Sequence, residues 1–172
     1  LYETPAWVTK ALLPHIPAHI TRVWECAAGT GQMSGVLKER YEVLETDITQ
    51  GADFLADQTE LLSCVPTLER PQAIITNPPY NLATEFCEQA LRLMEPVAGF
   101  VALLLRTDFD HAKGRSHLFR DCPAFAKKLV LTRRIVWFEP APGAKGKSPS
   151  FNHAWMIWDW THDGPPTIGY GP

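Results

Sequence analysis

The 172-residue chain contains no apolar run close to the roughly 18–20 residues that a membrane helix needs, so no membrane partner is expected. Its first ten residues lack the basic-then-apolar pattern of a secretory signal. The chain opens on Leu1 instead of Met, so preceding residues are expected. Cysteine is sparse. Cys26, Cys64, Cys87 and Cys122 stand far apart, with no C-x-x-C pair and no histidine at ligand spacing, so neither a metal nor a disulfide framework is expected, and reduced thiols point to the cytoplasm. His111, His117, His153 and His162 also lack metal-ligand spacing, and Ser116-His117 makes no nucleophile arrangement. For these histidines, and for Trp155, Trp158 and Trp160, ordinary core or surface roles are expected. There is no internal repeat and no interdomain linker, which leaves a single domain over 1–172.

What is present is an ordinary globular composition, 45% hydrophobic and 20% charged, enough for one full core. Charge is distributed unevenly. Residues 1–105 carry 6 Lys and Arg against 13 Asp and Glu, whereas residues 106–150 carry 10 against 4. The basic part, including Arg106, Lys113, Arg115, Lys145 and Lys147, reads as a surface for a phosphate backbone, or as a solvated face with scattered basic residues.

Apolar runs alternate with helical patterns, which predicts an α/β fold: a doubly wound, mostly parallel sheet of about seven strands with helices on both faces. Strands are expected over 23–27, 41–46, 72–76, 100–105, 129–138 and 153–160, with a further short segment over 52–55. Helical patterns cover 32–40, 58–65, 83–94, 116–122 and 124–128. The Pro, Gly and Lys-rich stretch 139–150 reads as a mobile loop and 163–172 as a tail.

Two local patterns carry chemistry. The first is strand, glycine turn, helix, strand, acid: Glu25, Gly29, Gly31 and Asp47, the order that binds a nucleoside at the carboxyl ends of such a sheet. The glycines allow close approach of a ligand, and Asp47 could accept from two ribose hydroxyls. Glu25 would repel a pyrophosphate and attract an ammonium, so a cationic nucleoside fits better than a dinucleotide. Ser34 also stands where the dinucleotide fingerprint has its third glycine. Asp53 and Phe54 read as an acid for an adenine amine with a ring over the base, or as a capping Asp beside a buried Phe.

The second pattern is Asn77-Pro78-Pro79-Tyr80, directly after Ala73-Ile74-Ile75. Asn77 precedes a proline and is pushed to extended geometry, while both prolines have fixed φ and no N–H, so the corner holds its shape without a ligand. Asn77 Oδ1 and the Pro78 carbonyl can both accept from one NH₂ group, and Tyr80 can stack on the attached ring. A plain strand-ending turn is the alternative.

These motifs resemble the S-adenosylmethionine-dependent N6-adenine DNA methyltransferases, over nearly the whole chain. Tyr2-Glu3-Thr4-Pro5 looks like the family's amino-terminal cofactor motif and Glu25-Cys26-Ala27-Ala28-Gly29-Thr30-Gly31 like its glycine loop. Asp47 with Ile48 and Asp53-Phe54 look like its ribose and adenine contacts, and Asn77-Pro78-Pro79-Tyr80 matches its catalytic motif in full. The resemblance implies a class I methyltransferase fold and methyl transfer to adenine N6 at the catalytic corner. Tyr2, Thr4, Pro5, Glu25, Ala27, Gly29, Gly31, Asp47, Ile48, Asp53, Phe54 and Asn77 would meet S-adenosyl-L-methionine. Tyr80 and Phe151 would enclose the base, while Arg106, Lys113, Arg115, Lys145 and Lys147 would hold phosphates. DNA is the first candidate partner and RNA the second. A protein glutamine amide, or an inactive nucleic-acid-binding module of the same fold, are further readings.

Two departures stand out. Cys26 and Ala27 replace the family's usual Pro and Phe. Only the short tail follows the last expected strand, a phage- or prophage-like arrangement without a separate target-recognition domain. Sequence recognition is then left to the 139–150 loop or to a partner.

Overall fold

Continuous apolar runs form the centre of the sheet. The computed structural model describes residues 3–56, 69–137 and 151–172. Strand β3 (Ala73–Thr76) is buried throughout, and β4 (Phe100–Arg106) and β6 (His153–Asp159) are buried at every position but their last. Strands covered on both faces need no alternation of polar and apolar residues. Successive side chains still point to opposite faces, so the sheet separates two cores. On one side Val101, Leu103 and Leu105 meet helix α3 (Ala83–Met94). On the other, Phe100, Ala102 and Leu104 share a core with α1 (Ala6–Leu12) and α2 (Gln32–Leu37).

Helix α3 forms where its apolar residues repeat at helical spacing: Phe86, Cys87, Ala90, Leu91 and Met94 are buried, with Glu85 in the first turn and Arg92 in the last. Burying each large side chain stabilises the fold by roughly 1.5–3 kcal/mol. The indoles of Trp155 and Trp158 fasten layers together because each of the two N–H groups finds an acceptor. Trp155 Nε1 donates to the Val8 carbonyl at 2.9 Å, and Trp158 Nε1 to that of Leu118 at 2.6 Å.

With β1 (Arg22–Glu25), β2 (Glu42–Glu45), β5 (Phe125–Leu131) and β7 (Thr167–Gly171), the sheet has seven strands in the order β2-β1-β3-β4-β6-β5-β7. Four of the six neighbouring pairs run parallel, and β6 is antiparallel to both β4 and β5. The chain leaves β1 toward β2 on one side and returns to β3 on the other. That reversal opens a crevice at the carboxyl ends of β1 and β3, where ligands of doubly wound sheets bind.

Four expectations are corrected. Residues 52–55 form a turn, because Asp53 Oδ1 accepts the Leu55 N–H at 2.9 Å and the backbone bends instead of pairing. Residues 124–128, read as helical, mostly enter β5, where pairing to β6 and β7 overrides a weak local pattern. The strand expected over 129–138 accordingly ends at Leu131. The supposed tail holds β7, an edge strand parallel to β5 whose glycines lie against Leu129 and Leu131. Helix α1 was not expected at all. The helix expected over 58–65, the loop 139–150, Tyr2, Lys145 and Lys147 lie outside the described residues.

Candidate active site

The turn after β1 is shaped by two glycines in the left-handed region, Gly29 at φ 56° and Gly31 at φ 83°. A Cβ on Gly31 would also come within 3.3 Å of Glu45 Oε1. Beneath the turn Glu25 is 2% exposed, its Oε2 accepting from Ser34 Oγ at 2.8 Å and its Oε1 from Thr76 Oγ1 at 3.4 Å. Burial pushes the Glu25 pKa up to about 7, and nearby Glu45 adds to the effect, while the Ser34 and Thr76 hydroxyls oppose it.

Asp47, at the end of β2, braces the same turn. Its Oδ2 accepts the Gly29 N–H at 2.8 Å, and its Oδ1 accepts the Thr49 N–H at 2.9 Å and Oγ1 at 2.6 Å. Burial works to raise its pKa, but the Thr49 and Gly29 hydrogen bonds outweigh that and hold the carboxylate below its ordinary value. Phe54 is 3% exposed, edge-on to Trp24 at 5.3 Å and tilted on Phe86 at 4.9 Å, so the core reading of this ring holds even though it also lines the cleft. Gln89 of α3 fastens this loop by donating to the carbonyls of Phe54 and Ala56.

Across the cleft β3 delivers the Asn77-Pro78-Pro79-Tyr80 corner. Asn77 Nδ2 donates to Thr4 Oγ1 at 3.2 Å, which orients the amide. Its Oδ1 is buried and has no hydrogen-bond partner among the described residues. A buried acceptor left unmatched costs about 1–3 kcal/mol, so a donor supplied by a ligand would recover that loss. The Tyr80 hydroxyl meets His153 Nε2 at 3.0 Å, and the two rings stack with centroids 5.9 Å apart.

Together these elements enclose a cleft of about 660 Å³, a nucleoside-scale volume. Its wall includes Thr4, Glu25, Ala27, Gly29, Asp47, Ile48, Asp53, Phe54 and all four residues of the corner. Ile48, 65% exposed, offers an apolar surface at the rim. Pro5 precedes α1 and Gly31 shapes the turn without lining the cleft.

The described basic residues, and Phe151, lie outside this wall. Phe151 is 47% exposed and Arg106 stacks over its ring at 4.0 Å, while Arg106 is also held by a two-point ion pair with Asp108. Arg115 donates to the Phe109 carbonyl and covers the Phe109 ring. Lys128 pairs with Asp110 and Arg120 with Asp121, so with Arg106 three of the segment's ten cations are locally matched. Lys113 is exposed. Among the described residues, no three His, Cys, Asp or Glu side chains gather to hold a metal ion, and no helix is long and apolar enough to cross a membrane.

Sequence reasoning missed His153 and Gln89. No sequence signal singled out His153: it is antiparallel pairing of β6 to β4 that sets it opposite Arg106, at the edge where the parallel strands end.

No protein-family model matches the sequence, and no curated protein matches it. Solved structures do resemble it. The methyltransferase subunit of a type I restriction-modification system from Streptococcus thermophilus superposes with a TM-score of 0.65 at 11% identity, covering 98% of this chain and 47% of that one. The chain has the class I methyltransferase fold. A modification subunit of a putative type I restriction enzyme from Vibrio vulnificus YJ016 gives 0.61 at 14% identity, over 99% and 46%. The 23S rRNA methyltransferase ErmE gives 0.58 at 14%, over 96% and 71%. The chain thus spans about half the length of the two restriction-system subunits. In this methyltransferase fold the glycine turn and the Asn-Pro-Pro-Tyr corner face each other across the β1–β3 crevice.

Proposed function

We propose that the protein transfers a methyl group from S-adenosyl-L-methionine to the exocyclic N6 amine of adenine in DNA. The observation that carries this reading is Asn77: an amide fixed at one end by Thr4, with an unmatched buried oxygen in the wall of a nucleoside-sized cleft.

The residues present fit the cofactor. Glu25 would face its ammonium, Asp47 and Ile48 its ribose and base, and Asp53 with Phe54 the far end of the adenine, while the braced glycine turn leaves room for a close approach. When bound, S-adenosyl-L-methionine supplies an electrophilic methyl on a sulfonium. The chain's own part is placement. Asn77 Oδ1 and the Pro78 carbonyl would accept the two N–H groups of the amine, reducing conjugation of its lone pair with the ring and aiming it into the cleft. Tyr80 would hold the ring by stacking. An exocyclic amine becomes strongly acidic once methylated, so no histidine base is required. In a duplex the base must first leave the stack, at a cost of a few kcal/mol.

Phe151, on its Arg106 support, would form a second wall, and Lys113, Arg115, Lys145 and Lys147 would meet phosphates. Asp108, Asp110 and Asp121 occupy three of the segment's ten cations, so phosphate contact would fall to the others, and a specificity partner would add sequence recognition. Likeness to an rRNA methyltransferase makes an RNA base the second reading.

The test is transfer of labelled methyl to DNA and to RNA, with identification of the modified base. N6-methyladenine in DNA supports the proposal. Label confined to RNA would replace the substrate, and no transfer to either would remove the reading.

A further inference from the structure

We propose that His153 is a positioning residue that holds Tyr80 at the angle needed to stack on the acceptor ring, a role that rests on the amine-methylation reading. His153 does not line the cleft, so it acts through its neighbour. It is 2% exposed at the start of β6, while Tyr80, half-buried, lies in the cleft wall. The Tyr80 hydroxyl reaches His153 Nε2 at 3.0 Å, and the rings are stacked at 5.9 Å with 30° between their planes. Trp137 closes on the imidazole from its edge, with centroids 5.1 Å apart at 80°. The tyrosine is thus fixed at the far end of its ring as well as through its backbone in the proline corner.

The chemistry of the pair sets its direction. Burial is the main reason that the imidazole stays neutral down to about pH 4, and the Arg106 charge acts the same way, while the Phe151 backbone opposes it. A neutral imidazole whose Nε2 has a lone pair accepts the phenol O–H. Nδ1 then carries the proton and is the ring atom left to face the Phe151 backbone. A Leu or Phe could fill this space, but only a side chain with an acceptor can receive the Tyr80 hydroxyl here. It also follows that the Tyr80 hydroxyl is committed to the protein, so Tyr80 offers the substrate its ring face and is not a proton acceptor.

The experiment combines His153→Phe, which keeps a ring without an acceptor, His153→Gln, which restores an acceptor, Tyr80→Phe and the double Tyr80→Phe/His153→Phe variant. Methyl-transfer kcat and KM, cofactor affinity and the NMR ring-flip rate of labelled Tyr80 are read for the full chain. His153→Phe should lower kcat about tenfold with cofactor affinity unchanged and with faster Tyr80 ring flips. His153→Gln should recover most of the loss, and the double variant should be no worse than Tyr80→Phe. Multiplying losses, weakened cofactor binding, or an unaltered Tyr80 flip rate would overturn the proposal. Wild-type protein that methylates nothing would sink the functional reading, and the ring-flip measurement would then decide the holding role alone.

Discussion

The two walls of the cleft are built differently. On the proposed cofactor side, Asp47 spends both oxygens on nearby backbone and hydroxyl groups, and Phe54 belongs to the core. On the proposed acceptor side, Asn77 keeps an unmatched oxygen, and the wall's support comes from far along the chain: Thr4 and His153 each lie 73 positions from the residue they hold. One wall is finished before any ligand arrives, and the other is complete only with a donor in place. Loss of a side chain should therefore damage stability, and through it the proposed cofactor site, on the first wall and turnover on the second.

The largest expected effect breaks the first wall. Phe54→Ala should destabilise the fold by about 3–5 kcal/mol in chemical denaturation, whereas Tyr80→Ala should cost less there, about 1–3 kcal/mol, and act mainly on kcat. Equal losses of stability at both positions would erase the contrast. Asp47→Ala releases Gly29 and Thr49 together, and cofactor affinity measured by calorimetry should fall about a hundredfold, while acceptor KM should change little.

Glu25 sharpens the comparison through pH. Its carboxyl has a pKa of about 7 in the fold against 4.5 ordinarily, so the folded state binds the proton more tightly between those values. Its contribution to stability falls as pH rises from about 4.5 to about 7 and then levels. The difference in unfolding free energy between wild type and Glu25→Gln should track that window, with an amplitude of up to about 3 kcal/mol. Cofactor affinity should rise through pH 7 in wild type and stay flat in the variant, because a bound ammonium favours the ionised form. A pH-independent difference would place the buried charge elsewhere.

The smallest effect concerns Thr4. Thr4→Val should slow methyl transfer about tenfold with Thr4→Ser close to wild type, because only the hydroxyl orients the Asn77 amide. Equal behaviour of the two variants would mean that packing, not the hydrogen bond, matters.

Reading the sequence worked where signals were local. The buried runs of β3, β4 and β6, the helical spacing of α3, the glycine turn and the Asn-Pro-Pro-Tyr corner all announce themselves over a few residues. It failed where long-range pairing decides the outcome. Strand β7 contains Gly169 and Gly171 and follows Pro165-Pro166, which look like a tail until β5 offers it hydrogen bonds. Helix α1 is only seven residues long and is stabilised by burying Val8 and Leu12 and by the Trp155 indole. His153 looked like a core histidine, and it is one; its bond to Tyr80 exists only because β6 runs antiparallel to β4. The charge count of residues 106–150 likewise could not reveal that three of its four acids sit against its own cations.

The most direct measurement is methyl transfer to adenine by Asn77→Ala, with cofactor affinity determined on the same protein. The account predicts that kcat/KM falls by about a hundredfold or more while the cofactor still binds nearly as in wild type. Undiminished transfer would contradict it.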